Sequence, residues 1–491
     1  MPTKRTEVPL TGITVKKEED FSAWYTEILT KAELADTRYN VKGFVVYREW
    51  ATITIKKMYA KYEALLEKNG HLPLTMPSLI PESNFHLEAQ HVEGFTPEVF
   101  WVTEAGSSGK LTERLALRPT SETALYKMYP FWIHSYNDLP FKRYLSCQVW
   151  RYETKMTRPF FRGREFHWIE AHNVYATMEE AMDQVKEDME MAYEMLEEEF
   201  AIPIIFFERP QWDKFPGAIS TFAADVLMGS GKVMQQPSTH LLGQNFSKPF
   251  NIKFVDKDGE EKYGYQTCYG PAISRIYGAL IAYHGDNKGL VLPFDLAPIQ
   301  IIVIPILFKN KEEAVLNKAK EIFNLFKDRY KTKIDDSDDS PGSKFYNWEL
   351  KGVPIRIEIG PRDLQKQQVV IVKRHDGKKL IAKEAELIDK VNEIAENYTN
   401  EIKKKSLIDF ESQIEDCYEK DAAIEAINNG KIVACGFCSI EKNGEKCAEI
   451  VEKDIRAFVR GKRVDKEKRE FATCLICGKP ASCTVYLARS Y

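Results

Sequence analysis

Between residues 149 and 172 the chain places charged and aromatic side chains at every second position, and this alternation restricts what the segment can form. Val149-Trp150-Arg151-Tyr152-Glu153 and Arg162-Gly163-Arg164-Glu165-Phe166-His167-Trp168-Ile169-Glu170-Ala171-His172 read as two antiparallel strands joined by a loop. Strand side chains alternate faces with period two. Arg151 and Glu153 then share a face, as do Phe166, Trp168, Glu170 and His172. A guanidinium, carboxylates, two aromatic rings and an imidazole make a poor core, because unpaired buried charge is costly. An isolated Arg-x-Glu is more often a salt-bridged, half-exposed hairpin. The whole alternating set instead reads as the wall of a binding site.

The 491 residues leave room for two to four domains around that wall. With 44% apolar and 29% charged residues the chain reads as an ordinary soluble globular protein. A net charge of −4 argues against general nucleic-acid coating, so DNA is not an expected partner, while a local basic surface for one folded RNA stays compatible. No apolar run reaches the ~18 residues that span a bilayer. Met1-Pro2-Thr3-Lys4-Arg5 lacks the apolar core of a secretion signal. The expectation is a cytoplasmic protein with no membrane partner.

Three textures follow along the chain. Residues 1–293 mix helices and strands, with Met178, Met182, Val185, Met189 and Leu196 at the spacing of an amphipathic, core-facing helix. Residues 294–400 show a β-α-β-α-β order, which predicts a small α/β unit. Residues 401–491 start helical and end in five closely spaced cysteines, Cys435, Cys438, Cys447, Cys474 and Cys477. In a large chain without a signal, such clustering reads as metal binding rather than a disulfide framework.

Arg-x-Glu, a loop and Arg-x-x-x-Phe resemble motif 2 of class II aminoacyl-tRNA synthetases. Upstream, Arg118-Pro119-Thr120-Ser121-Glu122-Thr123 resembles the amino-acid loop of the prolyl enzymes. Gly70 with Pro77-Ser78-Leu79-Ile80-Pro81 resembles motif 1, the dimer element, and Gly270 to Arg275 with His284-Gly285-Asp286 resembles motif 3. His91-Val92-Glu93-Gly94-Phe95, Lys214-Phe215-Pro216-Gly217 and His240-Leu241-Leu242-Gly243-Gln244 match further blocks in family order. The resemblance covers essentially the whole chain and points to the archaeal and eukaryotic-like prolyl subgroup.

That resemblance implies an α+β catalytic domain on an antiparallel sheet, then an α/β anticodon-binding domain and a small zinc-binding α/β domain. It implies ATP as substrate with Mg2+, structural Zn2+, L-proline and tRNA(Pro) as partners, and a homodimer. Arg151 would bridge the α-phosphate and the proline carboxylate, and Arg162 and Arg275 would hold the outer phosphates; Arg151 and Arg275 are the residues expected to carry catalysis. Phe166 would stack on adenine with Glu153 at its edge, while Gln235 and Ser238 would contact ATP or its magnesium. Thr120 and Glu122 would bind the imino nitrogen. Phe95, Trp168, Glu170, His172, Phe215 and His240 would enclose the pyrrolidine ring. Two departures stand out: Pro271 lies in a motif 3 loop one residue longer than usual, and Pro237-Ser238 replaces the usual Gly-Thr. In the α/β unit, Lys344, Trp348, Glu349, Arg356, Lys373 and Arg374 supply the residue types that recognise single-stranded bases.

Cys474-x-x-Cys477 is a good zinc half-site, because a short turn aims two thiolates at one ion. For the other half, spacing favours Cys435 with Cys438, whereas the family pattern pairs Cys435 with Cys447. The expected set is Cys435, Cys447, Cys474 and Cys477, with Cys438 as the alternative to Cys447. Two competing functions are a threonyl, glycyl or histidyl enzyme of the same class and a non-catalytic RNA-binding paralogue. The Thr120-Ser121-Glu122 block argues against the first, and retention of Arg151, Phe166 and Arg275 against the second. About a hundred residues separate the motif 2 region from motif 3. That is too few for an inserted editing domain, so misactivation of alanine or cysteine is expected.

Overall fold

The computed structural model describes residues 12–85, 99–154, 156–307, 312–465 and 469–491. Its largest element is a sheet of eleven strands that crosses from the first unit into the last. The first unit contributes α1 (Glu49–Lys68), β1 (Leu72–Pro73), β2 (Phe141–Trp150), β3 (Glu165–Tyr175), α2 (Met178–Tyr193), β4 (Ile205–Glu208), β5 (Ser220–Leu227), β6 (Lys232–Gly243), β7 (Tyr265–Gly270) and α3 (Ile273–His284). A second unit holds β8 (Ile301–Pro305), α4 (Glu312–Phe326), β9 (Thr332–Ile334), α5 (Pro341–Leu350), β10 (Ile355–Ile359), β11 (Gln368–Lys373), β12 (Lys379–Lys383) and α6 (Leu387–Glu411). The last unit adds β13 (Ile414–Asp416), β14 (Ile432–Phe437), β15 (Phe458–Arg463) and β16 (Cys483–Ser490).

Strand order in the large sheet is β13-β14-β16-β15-β4-β5-β6-β7-β3-β2-β1. The ladders from β15 through β2 are antiparallel. The alternation on β3 has the physical result expected of it. Ile169 and Ala171 are fully buried on one face, under α1 and α3, where Tyr62, Leu65, Ile276 and Leu280 join the same cluster. Phe166, Trp168, Glu170 and His172 open into a cavity on the other. The expected methionine helix is α2, held at its start by Thr177, whose hydroxyl accepts the Glu180 N–H at 3.2 Å. Val185 and Leu196 are buried and Met182 and Met189 half-buried, while Met178 lies on the surface.

β2 and β3 are both shorter than their pattern suggests, and β3 starts at Glu165 rather than Arg162. β2 ends at Trp150, because the Glu153 N–H turns back to the Arg151 carbonyl at 2.7 Å. The Arg151 N–H still donates to Arg164 at 3.0 Å, so Arg151 enters the cleft on the last rung. In the second unit β9, β8 and β10 are parallel and β11 and β12 complete the sheet antiparallel, with α4 and α6 packed on it. α6 runs unbroken through residue 400, where the second and third units were expected to part. Arg374 ties the second unit to the first through two bonds to Asp286, at 2.6 and 2.9 Å. Among the described residues, no helix is long and apolar enough to cross a membrane.

Candidate active site

Sheet alternation and the segment before the short helix Glu122–Met128 build one cavity of about 320 Å³. Twelve expected residues line it: Thr120 and Glu122; Arg151; Phe166, Trp168, Glu170 and His172 from β3; Phe215; Gln235, Ser238 and His240 from β6; and Arg275 from the first turn of α3. Glu153 and Arg162 border an adjoining cleft that Arg151, Phe166 and Arg275 also line. Phe95 lies outside the described residues. Pro271, the odd residue of motif 3, continues the ladder between β7 and β3, since its carbonyl accepts the Ile169 N–H at 2.9 Å.

One end of the cavity is a satisfied polar network. Glu170, 2% exposed, accepts the Ser121 N–H at 3.1 Å and the Thr120 hydroxyl at 3.3 Å. It also accepts the Ser121 hydroxyl and lies 3.2 Å from His172 Nε2. Thr120 further donates to Glu122, and the Tyr126 hydroxyl meets His172 Nδ1 at 3.0 Å. Burial pushes the Glu170 carboxyl up, but the His172 and Ser121 hydrogen bonds prevail and hold it below the usual range. Burial works against the His172 charge, and the Glu170 hydrogen bond with the Glu122 and Glu170 charges prevails and raises it. His240 differs: burial, then His172 and Arg209, push it down to about 3, so it stays neutral. It lies between Thr221 Oγ1 at 2.9 Å and Ser238 Oγ at 3.1 Å, with its ring 4.7 Å from Phe215.

Guanidiniums gather at the other end. Arg151 donates from Nε to the Pro119 carbonyl at 3.0 Å, and its Cζ is 5.4 Å from both the Phe166 and Trp168 rings. Arg162 is 3.6 Å from Glu153 and donates to the Tyr491 carbonyl at 3.2 Å. Burial, then the Arg151 and Arg162 charges, lower Arg275 to about 10. It remains a cation at neutral pH among like charges, an arrangement that favours a polyanion.

In the last unit, the sulfurs of Cys438, Cys447, Cys474 and Cys477 lie within 4.8 Å of one another, with Cys438 and Cys447 3.6 Å apart. Four thiolates about 2.3 Å from one tetrahedral zinc stand at about this spacing from each other, so the residues fit that metal. The structure brings Cys438, rather than Cys435, to Cys447, Cys474 and Cys477. Cys435 lies within β14 opposite Val485 and is fully buried in the core of the last unit, whereas Cys438 follows the end of the strand and is free to turn.

Sequence reasoning missed Ser121, Arg209, Asp213, Thr221 and Cys268 in the cavity wall or its network. Arg209 and Asp213 shortly precede the Lys214-Phe215-Pro216-Gly217 block, and that proximity was the available signal. Most of the residue types suited to base recognition have partners within the protein. Trp348 donates to Asp335 at 2.7 Å, Lys344 to the Asp335 carbonyl at 3.0 Å, Arg356 to Glu349 and Glu358, and Lys373 to Glu401.

With this geometry in view, residues 100–284 match the family profile described as tRNA synthetase class II core domain (G, H, P, S and T). Residues 300–394 match an anticodon binding domain, and 420–491 match "Prolyl-tRNA synthetase, C-terminal". A proline–tRNA ligase of Thermofilum pendens is 48% identical over 483 residues, covering 98% of this chain and 99% of the relative. One of Methanopyrus kandleri is 41% identical over 474 residues, covering 96% of each. The Giardia lamblia prolyl-tRNA synthetase in complex with prolyl-adenylate superposes with a TM-score of 0.94 at 36% identity, covering 98% of this chain and 100% of that one. The Cryptosporidium parvum enzyme complexed with halofuginone and AMPPNP gives 0.91 at 32% identity, covering 98% and 99%. The chain belongs to the prolyl-tRNA synthetase (proline–tRNA ligase) family of class II aminoacyl-tRNA synthetases.

Proposed function

We infer that the protein joins L-proline to ATP as prolyl-adenylate and passes the prolyl group to the 3′ end of tRNA(Pro). The observation that carries this reading is a cavity with buried carboxylates at one end and Arg151 and Arg275 at the other, where it adjoins a cleft bordered by Arg162. Proline is a zwitterion, and its imino cation suits the Glu122–Glu170 end while its carboxylate suits Arg151. The carboxylate oxygen attacks the α-phosphorus, pyrophosphate leaves, and the tRNA hydroxyl then attacks the acyl carbon and releases AMP. No protein nucleophile is needed; the site supplies position and positive charge.

In this reading Thr120 and Glu122 take the imino nitrogen. Phe95, Trp168, Glu170, His172, Phe215 and His240 enclose the ring. Arg151 spans carboxylate and α-phosphate, Phe166 stacks on adenine and Glu153 receives its amino group. Arg162 and Arg275 take the outer phosphates. Gln235 and Ser238 offer oxygen atoms to ATP and to magnesium, which, bound to phosphates, neutralises their charge. The α/β unit reads the anticodon. The decisive experiment is ATP–pyrophosphate exchange with a panel of amino acids. Proline should dominate, and equal exchange with threonine, glycine or histidine would overturn the assignment.

The reading includes cytoplasmic translation, a homodimer through Gly70–Pro81 and one structural zinc. The exposed Leu72 and Leu79 support the dimer, which light scattering of active enzyme should report. The four-sulfur geometry supports zinc on Cys438, Cys447, Cys474 and Cys477. Cys438→Ser should lose the metal while Cys435→Ser keeps it; the opposite result in metal analysis would restore the set expected from sequence.

A further inference from the structure

Behind the wall of the cavity lies a charged cluster that the proposed chemistry does not use. Arg209 follows β4, Asp225 lies on β5, and Arg460 comes from β15 of the last unit; they are 2%, 0% and 7% exposed. Arg209 donates from Nη2 to Asp225 Oδ1 at 2.8 Å and from Nη1 to the Arg460 carbonyl at 3.0 Å. Arg460 donates from Nε to Asp225 Oδ2 at 2.6 Å and from Nη2 to Oδ1 at 2.9 Å. Two cations share one carboxylate, and the Asp213 charge acts on both of them. Removing charges from water is expensive, so such clusters are weak evidence for stability as their purpose. Burial pushes the Asp225 carboxyl up, and the Arg209 and Arg460 charges prevail and hold it below its usual range.

The chain is shaped to bring Arg460 there. β15 pairs with β4 across the unit boundary, Lys462 opposite Glu208. Gly461 has φ +127° at a register shift in β15, and a Cβ on it would clash with the Glu208 carbonyl oxygen. From the cluster a short path leads to the cavity. The Arg209 N–H donates to the Thr221 carbonyl at 2.8 Å. Thr221 Oγ1 accepts the Phe215 N–H at 2.9 Å and meets His240 Nδ1 at 2.9 Å. The Arg209 side chain itself lines the cavity.

We propose that Arg209, Asp225 and Arg460 are positioning residues through which the last unit sets the Phe215–His240 wall of the amino-acid pocket. Arg460 docks on Asp225; together they fix the Arg209 guanidinium, and Arg209 fixes the segment that carries Phe215. The inference rests on the assignment of that pocket to proline. Pyrophosphate exchange by full-length, zinc-loaded enzyme tests it with Arg460→Met, Arg460→Lys and Arg463→Met. Arg463 is a control from the same strand, since it pairs with Asp465 at 2.6 Å and Glu411 at 3.5 Å rather than with the cluster.

Arg460→Met should raise the KM for proline by about tenfold, a factor worth 1.4 kcal/mol. The KM for ATP and kcat should move much less, and Arg460→Lys should fall between. Arg463→Met should lower the melting temperature and leave the KM for proline in place. A wild-type KM for proline in folded Arg460→Met overturns the proposal, as does an equal rise in Arg463→Met. If Arg460→Met does not fold, a wild-type KM in Arg460→Lys overturns it. Wild-type enzyme that fails to activate proline would instead sink the functional assignment, so the two failures are distinct.

Discussion

The end of the cleft proposed for the amino acid and the end proposed for the phosphates treat charge in opposite ways. Around Glu170 each buried oxygen meets hydroxyls, an N–H or an imidazole, so the network is complete within the protein. At the phosphate end Arg275 lies beside Arg151 and Arg162 and is lowered to about 10 by burial and by those neighbours. The first arrangement is ready before substrate arrives and selects by shape and hydrogen bonding. The second is electrostatically frustrated until an anion joins it. On the proposed assignment, recognition and catalysis are separated along the cleft: the complete network would give specificity, and the clustered cations would stabilise charge that moves during the reaction.

Four experiments probe that contrast. The largest effect belongs to Arg151→Ala, which removes a cation facing charge that redistributes in the transition state, at ~3–4 kcal/mol of barrier. Exchange should fall by roughly a thousandfold in a protein with normal melting behaviour; near-normal exchange would remove Arg151 from its role. Next comes Glu170→Gln. It keeps the shape but loses charge-assisted bonds, about 2 kcal/mol, and should raise the KM for proline while sparing that for ATP. An equal rise in both would mean that the two ends are not separable. Smaller again is Arg275→Lys. It keeps the charge but not the planar fork that matches phosphate, and a rise of about tenfold in the KM for ATP alone is expected.

The smallest effect is in pH dependence. Glu170 is held below its ordinary value of about 4.3, so its contribution to stability is full above that pH and fades as pH falls through the lowered value. His172 is raised above its ordinary value of about 6.5, so its contribution is full below that pH and fades as pH rises through the raised value. The difference in melting temperature between wild type and His172→Gln should therefore peak between those limits. A difference that grows steadily toward alkaline pH would show that the pair is not ionised.

By itself the sequence determined what local periodicity encodes. Period two on β3 separated Ile169 and Ala171 from Glu170 and His172, and helical spacing marked α2. Both follow from backbone geometry within a few residues. Ordered motif blocks also identified twelve side chains of one cavity although they lie up to 155 positions apart, from Thr120 to Arg275. Only the tertiary structure decided which distant groups meet. Spacing treated Cys435 and Cys438 alike, but one is locked mid-strand in the core and the other is released at the strand end, so the sulfur cluster takes Cys438. Arg374, a residue type suited to RNA, pairs with Asp286 in this structure, and Arg460 carried no local signal because it meets Arg209 and Asp225 only in the folded chain, 251 positions after Arg209. Side-chain direction along one element is set by bonds to its neighbours, whereas a buried charge finds its partner only after the sheet has closed across the unit boundary.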